Sequence, residues 1–171
     1  MFLGPEMRST GEVMGLGKDF GEAILKSHIS ANLRIPTEGT VFVSLRDLDK
    51  KTKTTEIIKG LSEIRFKVIA TSGTAKYLKE QGIPVENILK VSEGRPNIVD
   101  AIKNGEVQLV INTPTGEISR IAEYEIGWAA IAYKVPFITT LTAAASVVSA
   151  VKYLRTGEHS VLSVQELHEK L

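Results

Sequence analysis

The sequence predicts an α/β domain, a doubly wound three-layer sandwich around a five-stranded parallel sheet. Two observations carry the architecture. From Thr40 onward, short β-branched apolar runs alternate with segments of helical periodicity, and strands separated by helices pair in parallel. Those runs are also continuously apolar rather than alternating, as strands covered on both faces require.

The elements follow in order. Residues 1–17 are rich in Gly and Met and show no clean period. Lys18 to Ala31 reads as a short amphipathic helix, with Phe20, Ala23, Ile24 and Leu25 on one side. Residues 32–39, with Pro36 and Gly39, read as a linker. Strand one is Thr40 to Leu45, followed by a helix over 51–64 with Ile57, Ile58, Leu61 and Ile64 inward. Strand two is Phe66 to Thr71, and the next helix stops at Gly82. Strand three is Glu86 to Val91, and Pro96 opens a helix that closes at Asn104-Gly105. Strand four spans Val107 to Thr113, before a long helix over 119–133. Strand five is Val135 to Thr140, followed by a small-residue helix over 142–154 and a terminal amphipathic helix over 164–171.

Composition narrows the function. Lys plus Arg total 21 against 20 for Asp plus Glu, so the basic field of a general nucleic-acid binder is missing. With no cysteine, disulfides, thiol catalysis and Cys-ligated zinc are excluded. His28, His159 and His168 have no metal-pair spacing, and no apolar run reaches the ~18 residues of a membrane span. No signal-peptide pattern opens the chain, so a cytoplasmic protein is expected, without metal or cofactor.

Ligands of an open parallel sheet bind beyond the carboxyl ends of its strands. Here those ends carry Ser44, Lys50 and Lys51; Thr71-Ser72-Gly73-Thr74; Lys90; Asn112 to Gly116; and Thr139-Thr140. Hydroxyls, an amide and ammonium groups form the inventory for an anion. The Thr71–Thr74 turn leads from strand to helix, where free N–H groups point outward and Gly73 admits a close ligand. Ser and Thr there serve equally as ordinary N-caps, Lys50 to Lys53 as a solvated helix start, and Asn112 to Gly116 as plain turn chemistry. Agreement among four strand ends favours the anion. No Ser-His-acid order and no carboxylate pair accompanies the site, although Asp47 and Asp49 lie in the first loop, so binding without turnover is expected.

The stretches FKVIATSGTA (66–75), KVSEGRPNI (90–98), IKNGE (102–106), VINTPTG (110–116), YKVP (133–136) and SVQELH (163–168) together resemble one family. It is the C-terminal regulatory, methylglyoxal-synthase-like domain of the carbamoyl phosphate synthetase large subunit. Residues 6–15, EMRSTGEVMG, resemble the close of that subunit's second ATP-grasp module. The resemblance implies a remnant of that module over 1–17, a helix and linker over 18–39, and the regulatory domain over 40–171.

It implies further an allosteric effector site for a nucleotide of the UMP or IMP class, in an enzyme of pyrimidine and arginine biosynthesis. Thr71 and Thr74 would cradle the phosphate and Lys90 would pair with it, as would a lysine of the first loop, where Lys51 is favoured over Lys50 by counting back from the helix. Asn112, Thr113 and Thr115 would line the floor, with Ile126 and Thr140 on the nucleoside side. Partners would be the ATP-grasp modules and the glutaminase small subunit, with homo-oligomer formation open. The chain alone would make no carbamoyl phosphate. The rival readings are a methylglyoxal-synthase-type lyase on a small phosphorylated substrate and an interaction module without a ligand. The lyase pattern has Asp where this chain has Arg95 and Thr113, which disfavours it. Glu117, Gly127-Trp128 and Ile138 depart from the regulatory pattern and leave effector identity open.

Overall fold

A computed structural model describes residues 13–113, 120–157 and 160–169, without the side chains of Arg120 and Val164. Five parallel strands lie in the order β3-β2-β1-β4-β5. They are β1 (Gly39–Ser44), β2 (Phe66–Ala70), β3 (Glu86–Asn87), β4 (Leu109–Asn112) and β5 (Phe137–Ile138). The helices are α1 (Phe20–Ser30), α2 (Thr52–Glu63), α3 (Ser72–Glu80), α4 (Ile98–Lys103), α5 (Arg120–Ala132), α6 (Leu141–Thr156) and α7 (Val164–His168). None of them is long and apolar enough to cross a membrane.

The pleat of β1 divides the core in two. Val41 and Val43 face one side, where they meet Leu25 of α1, Ile58 and Leu61 of α2, Leu78 of α3 and Val147 of α6. Phe42 faces the other, packed with Ile98 and Ile102 of α4 and Ile126 and Ala129 of α5. The three expected layers are therefore present. β1 pairs with β2 on one side and β4 on the other, so the strand order reverses between β1 and β4. That switch point opens the crevice in which doubly wound sheets hold ligands.

Several local expectations need correction. Helix α1 buries Gly21, Glu22 and Leu25 instead of a face that includes Phe20, which is exposed. Gly21 sets this orientation: a Cβ there would lie 2.3 Å from Ser149 Cβ of α6, so the two helices meet closest where no side chain intervenes. Pro96 does not open α4. Asn97 is the N-cap, its side chain accepting from the Val99 amide while Asp100 accepts from the Asn97 amide, and this reciprocal box starts the helix at Ile98. Strands three and five are shorter than expected. β3 keeps two residues and an isolated bridge from Leu89 to Asn97, and β5 keeps two at the opposite sheet edge, where one flank has no partner strand. The loop after β1 contains a 3₁₀ turn at Asp47–Asp49 that the sequence pattern did not announce.

Candidate functional site

A cleft of about 800 Å³ opens at the carboxyl ends of the strands. Its floor and walls come from Ser44 and the loop after β1, the start of α3, the Lys90–Ser92 segment, Asn112, and the first turns of α5. The order of the sheet brings these distant segments together.

The start of α3 is the most unusual part. Thr71 occupies the N-cap position, yet its side chain makes no capping bond. The first intrahelical bond runs from the Ala75 amide to the Thr71 carbonyl, which leaves the amides of Ser72, Gly73 and Thr74 without a helical partner. The Thr71 side chain is 6% exposed, lines the cleft, and has no hydrogen-bond partner among the described residues. Buried hydroxyls are normally satisfied, so this one is left for a ligand or water. A Cβ at Gly73 would meet only Lys50 Nζ, 3.7 Å away.

Two other expected site residues work partly on the loop. Thr74 Oγ1 accepts from the Leu45 amide at 3.0 Å, and Thr113 Oγ1 accepts from the Arg46 amide at 3.0 Å. The Thr74 proton has no acceptor among the described residues, so that hydroxyl can still donate into the cleft. The Thr113 hydroxyl also helps to hold the Asp49 carboxyl ionised. Burial pushes the Asp49 carboxyl up, but the hydrogen bonds from Arg46 and Thr113, with the charges of Arg46 and Lys51, hold it below its ordinary range. Arg46 grips Asp49 through Nε at 2.7 Å and Nη2 at 3.3 Å. The loop is thus fastened from both neighbouring strands.

Of the two lysines in that loop, Lys50 lines the cleft. Its Nζ lies 2.6 Å from Asp47, whose carboxyl is held below the ordinary range by that hydrogen bond and by the Lys50 charge. Lys51 instead caps α2: its carbonyl receives Thr54, Thr55 and the Tyr77 hydroxyl, and its side chain is exposed. The cleft lining thus points to Lys50, not the favoured Lys51. Lys90 lines the cleft from the far side, 3.9 Å from Glu93. Asn112 is buried at the end of β4 with its side-chain amide unpartnered among the described residues. Ile126 is buried on the α5 wall. Thr140 stands apart: it N-caps α6, accepting from the Ala143 amide at 3.2 Å. Thr115 and Glu117 lie outside the described residues.

Sequence reading missed the acidic wall. Glu123 and Glu125, from the first turns of α5, line the same cleft as the lysines, and only their place just beyond the fourth strand end signalled it. The cleft therefore has a cationic, donor-rich end at α3 and a carboxylate-bearing, partly apolar end at α5. Among the described residues no cluster of His, Asp or Glu could hold a metal ion. Neither position expected to carry a lyase aspartate offers a free group, since Arg95 pairs with Asp100 and Thr113 holds the Arg46 amide.

A family model described as an MGS-like domain matches residues 53–139. Among curated proteins, the carbamoyl phosphate synthase large chain of Gemmatimonas aurantiaca is 52% identical over 99% of this chain and 15% of its own length. That of Archaeoglobus fulgidus is 46% identical over 98% of this chain and 16% of its own. A "Carbamoyl phosphate synthase large chain, C-terminal section" of Aquifex aeolicus is 47% identical over 98% of this chain and 31% of its own. The chain thus spans less than a third of the length of each of these relatives. On the match to its central residues and the parallel fold they build, the chain belongs to the MGS-like domain family.

Proposed function

We propose that this chain is the effector-binding domain of a carbamoyl phosphate synthetase large subunit. It holds a nucleoside monophosphate, UMP or IMP, by its phosphate and does not turn it over. One observation carries the reading: α3 begins uncapped inside the cleft, beside the buried Thr71 hydroxyl, which has no partner among the described residues. Three free amides at a helix N-terminus favour an anion through both their hydrogen atoms and the helix dipole. Lys50 and Lys90 supply charge, Thr71 and Thr74 donate, and Asn112 offers its amide, with Thr113 on the floor; Thr115 is assigned to the floor by the resemblance alone. The nucleoside lies toward Ile126, where carboxylates at Glu123 and Glu125 suit a neutral, hydroxyl-bearing ligand end. Thr140, committed to its cap, falls outside the proposed contacts.

In the whole synthetase, residues 1–17 would close an ATP-grasp module and 18–39 would join it to the domain at 40–171. Binding would act on the ATP-grasp modules, and on the glutaminase subunit through them, by differing in affinity between two states of the enzyme. The chain alone would carry neither carboxy-phosphate nor carbamate chemistry.

Calorimetric titration of the 171-residue chain with UMP and with IMP tests the site. Thr71→Ala and Lys90→Ala are each expected to weaken binding by about ten- to a hundredfold, from about 1.5–3 kcal/mol per lost charge-assisted bond. Binding of neither nucleotide would overturn the proposal. Turnover of dihydroxyacetone phosphate by the same chain would replace it with the lyase reading.

A further inference from the structure

The departure at Gly127-Trp128 leaves a feature that phosphate binding does not use. A groove of about 510 Å³ lies between α5 and the edge strand β5, with apolar walls from Tyr124, Trp128 and Ile131 of the helix and Phe137 of the strand. Trp128 is 68% exposed beside it. Gly127 keeps the groove open, since a Cβ there would meet nothing within 4 Å. Small-molecule sites share this size and make-up: aromatic and aliphatic walls with a few polar groups.

The groove is continuous with the cleft, because Asn112 and Glu123 line both. Asn112 is 5% exposed, and its side-chain amide has no hydrogen-bond partner among the described residues. A polar group crossing from one cavity to the other can be satisfied there. Neither Lys50 nor Lys90 lines the groove, and no other described cation does. Its one carboxylate, Glu123, already makes an interaction within the chain. An anionic group therefore gains nothing in the groove, whereas an apolar one buries exposed rings.

We infer that the groove is an annex of the cleft that takes a flat, uncharged ring carried on the sugar of the bound nucleotide. The inference rests on the nucleotide reading above. With the phosphate at the start of α3 and the nucleoside toward Ile126, the sugar hydroxyls lie toward Glu123 and Glu125, and Glu123 also lines the groove. A group attached to a sugar hydroxyl leaves the cleft on that side. It then meets Tyr124, Trp128 and Phe137, whose rings favour offset-stacked or edge-to-face partners. The ligand class is a sugar-substituted nucleoside monophosphate, not a polyphosphate.

Titration of the full chain with UMP and with its N-methylanthraniloyl ester, which carries a flat neutral fluorophore on a sugar hydroxyl, tests the annex. The ester should bind about five- to tenfold more tightly than UMP, as a partly buried ring requires. Its emission should move to the blue as water leaves the ring. Gly127→Leu fills the groove and favours the helix, and Trp128→Ala removes a wall. Each should bring the two affinities level and cancel the blue shift, with circular dichroism unchanged. UMP that binds while its ester binds no more tightly would overturn the annex and leave the nucleotide site standing. So would an advantage of the ester that survives both substitutions. Binding of neither ligand would overturn the nucleotide reading, and the annex with it.

Discussion

Replacing Glu22 with glutamine changes almost no volume and removes one charge from a crowded site. Its carboxylate is inaccessible to solvent and is surrounded by donors. Oε2 accepts from the Lys18 amide at 2.7 Å. Oε1 accepts from the amide and hydroxyl of Ser160, both at 2.8 Å, and lies 3.1 Å from Lys26 Nζ. Glutamine can present only one oxygen to these donors. In its better orientation, the new NH₂ group faces the Lys18 amide, donor against donor. A hydrogen bond to a charged group is worth about 1.5–3 kcal/mol, and the lost partner of Lys26 adds under about 1 kcal/mol, since that lysine is near the surface. The site is shallow and its surroundings polar, which trims the total to about 2–3 kcal/mol. For a chain of this length that corresponds to a fall in Tm of about 5–10 °C.

The pH dependence gives the sharper test. Hydrogen bonds from the Lys18 and Ser160 amides outweigh desolvation and hold the Glu22 carboxyl far below its ordinary value near 4.5. A depressed pKa stabilises the fold above the unfolded value and loses that contribution as pH falls toward the folded one. Glutamine does not titrate. Urea unfolding of both proteins should show a constant stability gap from about pH 6 to 8 that narrows below about pH 4.5. Equal stability at neutral pH, or a gap that does not close in acid, would refute the reasoning.

Three further outcomes follow from named contacts. Gly21→Ala should cost about 1–3 kcal/mol, because its Cβ would stand 2.3 Å from Ser149 Cβ, and Ser149→Gly in the same chain should recover part of it in urea unfolding. Thr113→Val removes the acceptor for the Arg46 amide; a loss of about 1–2 kcal/mol is expected, with faster hydrogen exchange at the Arg46 amide. Lys50→Ala should weaken nucleotide binding about tenfold in calorimetry, while Lys51→Ala leaves it within about twofold, since only the former lines the cleft.

The fold was legible because its signals are local and repeated. Val41-Phe42-Val43 reads as a strand covered on both faces, and the structure divides those three residues between its two cores. What could not be read depends on partners distant in sequence. The burial of Glu22 over Phe20 follows from the crossing of α1 and α6 and from Ser160, which no periodicity reports. The difference between Lys50 and Lys51 is one of place in the loop: Lys50 follows the 3₁₀ turn and lines the cleft, whereas Lys51 is the N-cap of α2. Residue types at the strand ends raised the expectation of an anion site, but could not say which hydroxyls would be spent on the protein itself.

That division of labour bears on how the site would bind. Ser44, Leu45 and Arg46 leave β1 at the switch point and are held from two chain segments, the end of β4 and the start of α3. The Ser44 carbonyl receives the Thr113 amide, Thr74 takes the Leu45 amide, and Thr113 takes the Arg46 amide. These bonds join the ends of β1 and β4 to the first turn of α3. The loop bearing Lys50 is therefore ordered before any ligand arrives, and a phosphate would not have to meet the entropy of closing it. Thr71 is the complement: buried at the same helix start, its side chain holds nothing among the described residues. A threonine that serves the loop cannot be removed without loosening the cleft, whereas one that serves only the ligand can. Thr71, not Thr74, is consequently the residue at which loss of binding and loss of structure separate.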